Sequence, residues 1–149
     1  ILNKYGKAKI INSNNMMANV DTINDVVKGI KTILDDDGKF IMETSYLLHL
    51  IDSMVFDTIY HEHLSYFGLK SLVYLFHKNG LKVVDAQIVN TKGGSLKCFV
   101  EHDNGQAQSQ NVINILKNEN DRGLYDFDIY KEYSLKINEE KNKLIFKLK

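Results

Sequence analysis

Between residues 7 and 45 the sequence changes twice between strand-like and helix-like hydrophobic patterns. "KAKIINS" (7–13) is a short β-branched run bounded by turn-forming residues, which is typical of a buried strand. From residue 23 to 34 apolar residues recur at spacings of three and four, which predicts an amphipathic helix that "DDDG" (35–38) ends. "KFIMETS" (39–45) indicates a second strand. Because a strand, a helix and a strand in this order build a parallel pair with a crossover helix, we expect an α/β fold.

The following residues continue the alternation of helices and strands. The segment 46–63 is apolar enough to be partly helical, and "GLKSLVYLFHKNG" (68–80) predicts an amphipathic helix that ends at Gly80. "LKVVDAQIV" (81–89) and "SLKCFVEH" (95–102) are strand-like runs joined by a turn that contains glycine. We therefore predict an antiparallel pair of strands.

The charge balance and the single cysteine exclude several classes of protein. The 149 residues carry 19 Lys plus Arg and 19 Asp plus Glu, so no surplus of positive charge is present to bind a nucleic-acid backbone. Cys98 is the only cysteine, which excludes an internal disulfide and a cysteine-only zinc site and is typical of a reducing compartment. No apolar run reaches the roughly 18 residues that a membrane-spanning helix needs. We therefore expect a soluble cytoplasmic domain without nucleic-acid or membrane partners.

The stretch "DTIYHEHLSYF" (57–67) concentrates side chains that can do chemistry, and a metal site is one interpretation of it. The zinc-protease pattern needs two histidines four residues apart. His61 and His63 are two apart and would point to nearly opposite sides of a helix. An extended backbone would let both bind a metal, but no third ligand stands at a motif spacing.

Acid/base catalysis and a purely structural role are the other two interpretations of this stretch. An imidazole titrates near neutral pH, so a histidine oriented by a carboxylate is the usual group for removing a moderately acidic proton. If the stretch is helical, Tyr60 and His63 share one face, and Asp57 and His61 share another. Alternatively, Tyr60, His61 and Glu62 form hydrogen bonds that only hold a loop against the core. The residues alone leave these interpretations open.

Three motifs together resemble one enzyme family. "FDTIYHEHLSYF" (56–67), followed by "KGGSLK" (92–97), resembles the Y-H-E-H-x-S-Y-F and G-G-S-L-R motifs of the S-adenosylmethionine-dependent sugar C-methyltransferases. "NNMMANVDTINDVVKGI" (14–30) resembles that family's N-x-x-A-H-V segment, the loop and helix after the fourth strand of its sheet. The resemblance implies an α/β fold that forms the second half of a class I (Rossmann-like) methyltransferase sheet, with a catalytic insertion and an antiparallel strand pair.

The resemblance also implies an activity and a set of site residues. The family transfers a methyl group to a carbon of a nucleotide-linked 4-keto-deoxysugar. The second histidine of Y-H-E-H is its favoured general base, here His63, and Glu62 and Tyr60 line the same pocket. Two positions depart from the family pattern: Asn19 stands where histidine is usual, and Lys97 replaces an arginine, which keeps the charge but loses bidentate geometry. The residues that the resemblance places around the substrate are Asn15, Asn19, His61, Tyr66, Gly93, Gly94, Ser95 and Lys97.

The cofactor implied by the resemblance is S-adenosylmethionine, but its main binding loop is not in this sequence. The family holds the cofactor on a glycine-rich loop after its first strand, whereas the adjacent glycines here, Gly93 and Gly94, follow the Y-H-E-H motif. The cysteines that bind zinc in the family's N-terminal domain are absent as well. We therefore expect the middle of a longer enzyme, with 1–108 as the C-terminal half of the methyltransferase domain. Residues 109–149 would be a helical linker toward a further C-terminal domain, ending in a charged, exposed helix.

Two other functions stand beside this one. The same fold with a degraded site would recognise a nucleotide-linked sugar or a partner without turnover, and Asn19 and Lys97 are the observations that favour it. A metal-dependent hydrolase would use His61, Glu62 and His63. For the isolated chain we predict negligible binding of S-adenosylmethionine. We also predict self-association, because an unpaired strand edge is a template for pairing with another chain.

Overall fold

The computed structural model describes residues 2–91 and 93–148; Ile1, Lys149 and Lys92, the first residue of the "KGGSLK" motif, lie outside the described residues. Four strands form one mixed sheet, against which helices pack. Among the described residues no helix combines the length and the apolar character needed to cross a membrane. In chain order the elements are α1 (Leu2–Tyr5), β1 (Ala8–Asn14), α2 (Ile23–Ile33), β2 (Leu34–Ser45), α3 (Leu47–Asp52), α4 (Leu69–Lys78), β3 (Leu81–Val89), β4 (Ser95–His102), α5 (Gln110–Asp121) and α6 (Phe127–Lys147).

The strands β1 and β2 are parallel neighbours joined by α2, as the sequence predicts. The prediction that "DDDG" ends the helix is wrong, because α2 ends before it and residues 35–38 lie inside β2. The three aspartates form ion pairs with Lys7, just before β1, and with Lys9 in β1, so their charges are compensated in an extended strand. Gly38 is needed there, because a Cβ atom would come within 2.8 Å of the Ala8 carbonyl oxygen.

The strand β4 runs antiparallel between β2 and β3, which confirms the predicted antiparallel pair and gives the strand order β1-β2-β4-β3. The carboxyl ends of β1 and β2 and the amino end of β4 therefore meet at one edge of the sheet. In open α/β sheets, ligands bind beyond the carboxyl ends of the strands. This edge is where a site is expected.

The buried side chains form one connected core. Phe40, Met42 and Thr44 are buried at alternate positions of β2, as expected for a strand with one face on the core. The Phe40 ring meets Phe76 of α4 edge to face, with 5.9 Å between ring centroids. Intervening residues such as Glu43 lie on the other face of β2, which is less buried.

A buried carboxylate joins α5 to the start of α4. Glu119 accepts hydrogen bonds from the Leu69 amide at 2.5 Å, the Lys70 amide at 3.0 Å and the Tyr125 hydroxyl at 2.6 Å. A negative group at a helix amino terminus satisfies N–H groups that have no partner within the helix. This carboxylate ties α5 to α4, whereas α6 is exposed along most of its length, as its charged sequence predicts. The domain boundary predicted at residue 109 stays a prediction.

Candidate active site

Three segments that carry the sequence motifs meet at the expected edge of the sheet: the loop after β1, the motif segment (57–67) and the turn before β4. The fold therefore brings together predicted site residues that are far apart in the sequence. Backbone hydrogen bonds join the segments to each other: the amides of Leu64 and Ser65 donate to the Ala18 carbonyl at 2.8 and 3.1 Å. Other backbone hydrogen bonds join the segments to the end of β2 and the start of α3. They run from the amide of Asn15 to the carbonyl of Glu43 at 2.8 Å, from Tyr46 to Gly94 at 3.2 Å, and from Leu47 to Phe67 at 3.0 Å.

The motif segment is irregular between the 3-10 turn at Phe56–Thr58 and α4. A helix conditionally expected here is not formed, so Asp57 and His61 do not share a helix face. Tyr60 and His63 do come together, but through a turn in which the His63 amide donates to the Tyr60 carbonyl at 3.1 Å. Their ring centroids lie 4.4 Å apart. A turn thus makes the contact that helical spacing suggested.

Both ring nitrogens of His63 have hydrogen-bond partners. Nδ1 lies 2.9 Å from the carbonyl oxygen of Thr58, which can only accept, so Nδ1 carries a proton. In the neutral ring Nε2 then holds a lone pair, and the Tyr60 hydroxyl lies 3.2 Å from it. Nε2 of the His63 ring therefore points toward Tyr60, a side chain that is 44% exposed to solvent. A neutral imidazole with its lone pair on this nitrogen can act as a general base.

Thr58 supports His63 through its backbone. Its carbonyl oxygen accepts from His63 and also from the Tyr66 hydroxyl at 3.1 Å, while its own hydroxyl donates to the Val55 carbonyl at 3.1 Å. The Tyr66 ring stands edge-on to the His63 ring, with 6.0 Å between centroids. Tyr66 is predicted to contact substrate, and here its hydroxyl helps to hold the loop. Thr58 cannot be recognised from the sequence, because a backbone carbonyl leaves no signature in residue type.

His61 and Glu62 are both exposed. The His61 ring meets Tyr60 edge-on at 6.2 Å between centroids, and within the described residues the Glu62 carboxylate has no hydrogen-bond or ion-pair partner. No three His, Cys, Asp or Glu side chains in the described part of the chain are grouped closely enough to hold a metal ion. The substrate-binding role of His61 and the supporting role of Glu62 stay predictions.

Gly94 occupies a confined position in the turn before β4. Its φ of +112° favours glycine, and a Cβ atom would come within 2.2 Å of Cδ2 of His49. The Gly94 amide and the hydroxyl of buried Ser95 both donate to the Thr91 carbonyl, at 2.9 and 3.1 Å. Gly93 is exposed, with a φ of +79°. The turn therefore has a buried inner side at Gly94 and Ser95, whereas Gly93 and Thr91 are open to solvent.

The remaining predicted substrate contacts lie on the loop after β1 and on β4. Asn15 has a φ of +53°, which asparagine tolerates better than most residues, and Asn19 is exposed. Lys97 lies directly opposite Glu43 of β2, and its Nζ is 3.2 Å from Oε2 of Glu43. The Thr91 hydroxyl donates to Oε1 of the same carboxylate at 2.5 Å. Glu43 cannot be recognised as a site residue from the sequence, because the alternation within "KFIMETS" places it only on the less buried face of a strand.

Two buried groups of the core are unsuited to proton transfer at neutral pH. Burial raises the pKa of Cys98 to about 12, so its thiol stays protonated. The Tyr46 hydroxyl is buried without a hydrogen-bond partner among the described residues, and burial together with the charge of Glu119 raises the pKa of Tyr46. The His63 imidazole is thus the better candidate for a base in this region.

A cleft of about 280 Å³ opens beside the motif segment, between α3 and α6. Its walls are apolar and aromatic, the character that small-molecule sites commonly have. Tyr66 belongs both to the cleft and to the hydrogen-bond network of His63. The residues that line the cleft are Leu47, Leu50, Ile51, Ile59, Tyr66, Tyr130 and Tyr133.

Known proteins resemble this chain in sequence. Residues 90–149 match the family described as the C-methyltransferase C-terminal domain. The chain is 34% identical over 139 residues to the C-methyltransferase NovU of Streptomyces niveus, in an alignment that covers 90% of this chain and 32% of that protein. The chain therefore spans about a third of the length of this curated relative.

Solved structures share its fold at low sequence identity. The structure of LepI in complex with SAM matches with a TM-score of 0.54 at 10% identity, over 65% of this chain and 27% of that one. Magnesium protoporphyrin IX methyltransferase (ChlM) from Synechocystis, with bound SAH, matches with a TM-score of 0.50 at 9% identity, over 65% of this chain and 46% of that one. The predicted α/β fold with an antiparallel strand pair is confirmed, and these structures share it. Over most of its length the chain is similar in sequence to one C-methyltransferase, which agrees with the resemblance that its motifs indicate.

Proposed function

We propose that the chain forms the substrate half of an S-adenosylmethionine-dependent C-methyltransferase acting on a nucleotide-linked keto-deoxysugar, with His63 as the general base. The observation that carries this proposal is the hydrogen bond from Nδ1 of His63 to the Thr58 carbonyl, which leaves the lone pair on Nε2. The relation to C-methyltransferases supports the reaction type. The motif resemblance supports the sugar class.

The chemistry follows from the acidity of a carbon next to a carbonyl group. Nε2 of His63 accepts the proton from that carbon, and the electron pair of the broken C–H bond delocalises onto the carbonyl oxygen as an enolate. The Thr58 carbonyl faces Nδ1 and stabilises the imidazolium that forms. The enolate carbon is then the nucleophile for methylation. When bound, S-adenosylmethionine supplies an electrophilic methyl group.

Tyr60 controls access to the base in this proposal. Its hydroxyl lies 3.2 Å from Nε2, the position that the substrate proton must reach. Because Tyr60 is partly exposed, it can rotate away or stay as a hydrogen-bond donor to the substrate carbonyl. Glu62 lies on the exposed side of the same turn and supports the charge that develops on His63.

The described residues do not by themselves form a cradle for S-adenosylmethionine. The space above Gly94 that a ligand could approach is filled by the His49 ring. Gly93, the other member of the glycine pair, is exposed in the turn between β3 and β4. The cofactor loop of the family follows the first strand of its sheet instead. In the proposal, cofactor binding needs regions of the longer relative that this chain does not cover. Negligible cofactor binding by the isolated chain stays a prediction, as does self-association through the outer edge of β1.

The test is His63→Gln in a complete enzyme that contains this chain. We expect methyl transfer to fall by about 10²- to 10⁴-fold, the usual contribution of a general base, while calorimetric binding of S-adenosylmethionine is nearly unchanged. His77→Gln is the matched control, because His77 is exposed on α4 and pairs with Asp103 away from the motif segment. Turnover at the wild-type rate in the His63→Gln variant would contradict the assignment of His63 as the general base. Ligand binding without any turnover in the wild type would favour the non-catalytic module.

A further inference from the structure

The carboxylate of Glu43 joins separate parts of the candidate site. Its side chain is only 12% exposed at the carboxyl end of β2. One oxygen is 3.2 Å from the ammonium of Lys97 on β4, the other accepts from the Thr91 hydroxyl, and the backbone carbonyl accepts from Asn15. One residue therefore contacts β4, the turn before it and the loop after β1. Each of these three segments carries a predicted substrate contact.

Thr91 links Glu43 to the glycine turn through hydrogen bonds. Its side chain is held by Glu43, and its carbonyl accepts from the Gly94 amide and the Ser95 hydroxyl. Gly94 in turn accepts from the Tyr46 amide at the start of α3. Loss of the carboxylate at Glu43 would release the residue that organises this turn.

The same two strands carry a second cross-strand ion pair at the end remote from the site. Nζ of Lys39 on β2 lies 3.0 Å from Oε1 of Glu101 on β4, and both residues follow the last paired residues of the β2–β4 ladder. Both pairs join the same strands through a lysine and a glutamate. The remote pair is therefore a matched control for the effect of an ion pair on the sheet alone.

We propose that Glu43 is a positioning residue for substrate binding, which holds Lys97 and the glycine turn in the arrangement that receives the substrate. The proposal rests on the function proposed above. Pairing orients the Lys97 ammonium and balances its charge, so the site offers a fixed donor in place of a mobile cation. Because the network acts before proton transfer, its loss should appear in KM and spare kcat.

The main experiment compares Glu43→Gln with Glu101→Gln in the complete enzyme, using a nucleotide-linked 4-keto-deoxysugar as the probe. We expect Glu43→Gln to raise KM about tenfold and to leave kcat within about twofold, since the uncharged amide offers one acceptor oxygen where Lys97 and Thr91 each use one oxygen of the carboxylate. Glu101→Gln should leave both constants within about twofold. Thr91→Val should raise KM by a smaller factor, because it removes one contact of the carboxylate. Equal KM values for the two glutamine variants, or a fall in kcat alone, would overturn the proposal.

A charge exchange tests whether opposite charges across the two strands are sufficient without the ammonium at position 97 and the acceptor at position 43. Glu43→Lys combined with Lys97→Glu restores opposite charges across the strands, but a lysine at position 43 cannot accept from Thr91. We expect KM to stay raised in this double variant. Recovery of the wild-type KM would mean that only the cross-strand charge matters, and the positioning role of the turn would be wrong.

Hydrogen exchange tests Glu43 independently of turnover. In the complete enzyme, mass spectrometry of a peptide spanning the turn should show faster exchange at Gly94 in Glu43→Gln than in Glu101→Gln, by about tenfold. Unchanged exchange would overturn the positioning role. A wild-type enzyme without methyl transfer would instead count against the proposed function, and the exchange result would still decide the role of Glu43.

Discussion

The sheet and the motif segment are held together in different ways. In the sheet, strands pair over many consecutive residues and alternate side chains fill one core. In the motif segment, single backbone carbonyls carry the structure: Thr58 accepts from His63 and Tyr66, and Ala18 accepts from two amides. The sheet distributes its stability over many contacts, whereas the motif segment depends on a few hydrogen bonds.

This difference separates the part that sets stability from the part that can do chemistry. Regions with few buried apolar contacts open at lower free energy, and functional loops are commonly drawn from them. Substitutions in the sheet should therefore lower the free energy of unfolding strongly. Substitutions in the motif segment should alter the geometry around His63 at a small cost in stability, and the turn before β4 should lie between the two.

The largest effect is expected in the sheet, for Phe40→Ala. Phe40 is fully buried on β2 and packs edge to face against Phe76. Its removal leaves a cavity in addition to the lost burial of the ring, so the free energy of unfolding should fall by about 3–5 kcal/mol. Urea unfolding followed by far-ultraviolet circular dichroism measures this loss.

The control for Phe40→Ala is Ile10→Ala on β1. Ile10 is 69% exposed, so its truncation should change the free energy of unfolding by no more than about 0.5 kcal/mol. A comparable loss from both variants would mean that the outer face of β1 is as well packed as the core. A loss below about 1 kcal/mol for Phe40→Ala would contradict the placement of the core on β2.

An intermediate effect is expected at the glycine turn, for Gly94→Ala. The new Cβ would collide with the His49 ring, and the φ of +112° is unfavourable for alanine. The free energy of unfolding should fall by about 1–3 kcal/mol. Adding His49→Ala should recover part of the loss, because it removes the collision but not the backbone strain. Gly93→Ala separates the two causes, since a Cβ atom added there would meet no other part of the described chain within 4 Å.

Most of the sheet is predictable from the sequence because its signals are local. Apolar alternation and β-branched runs mark β1, β3 and β4, and the apolar spacing of three and four marks α2 and α4. The error lies at "DDDG", where three acidic residues and a glycine favour a turn by composition. Pairing with Lys7 and Lys9 stabilises the extended conformation instead, and such pairing across 26 or more residues has no local signal.

The geometry of the candidate site is less predictable, because it depends on tertiary contacts. The motif identifies His63 and Tyr60 by residue type, but their contact arises from a turn that the sequence does not reveal. The tautomer of His63 is set by a backbone carbonyl, which any residue at position 58 could supply. Glu43 is recognisable as a site residue only once the strand register places it opposite Lys97.

The smallest effect is expected in the motif segment, for Tyr66→Phe. This change removes the hydrogen bond from the Tyr66 hydroxyl to the Thr58 carbonyl at 3.1 Å and leaves the aromatic ring in place. Because the same carbonyl still accepts from His63, no buried acceptor is left without a partner. The free energy of unfolding should therefore fall by only about 0.5–1.5 kcal/mol. In the complete enzyme, kcat should fall by a few-fold, because the loop that orients His63 is held less firmly.

Tyr74→Phe is the matched control for Tyr66→Phe. Tyr74 lies on α4 and is 68% exposed, so loss of its hydroxyl should leave both the free energy of unfolding and kcat unchanged. In Tyr66→Phe, the fall in kcat is compared with the fall in the free energy of unfolding. A loss of stability as large as that of Phe40→Ala would place Tyr66 in the core and remove the distinction between the two regions. If neither quantity changes, the bond to Thr58 does not support His63, and the tautomer must be held by the imidazole contact alone.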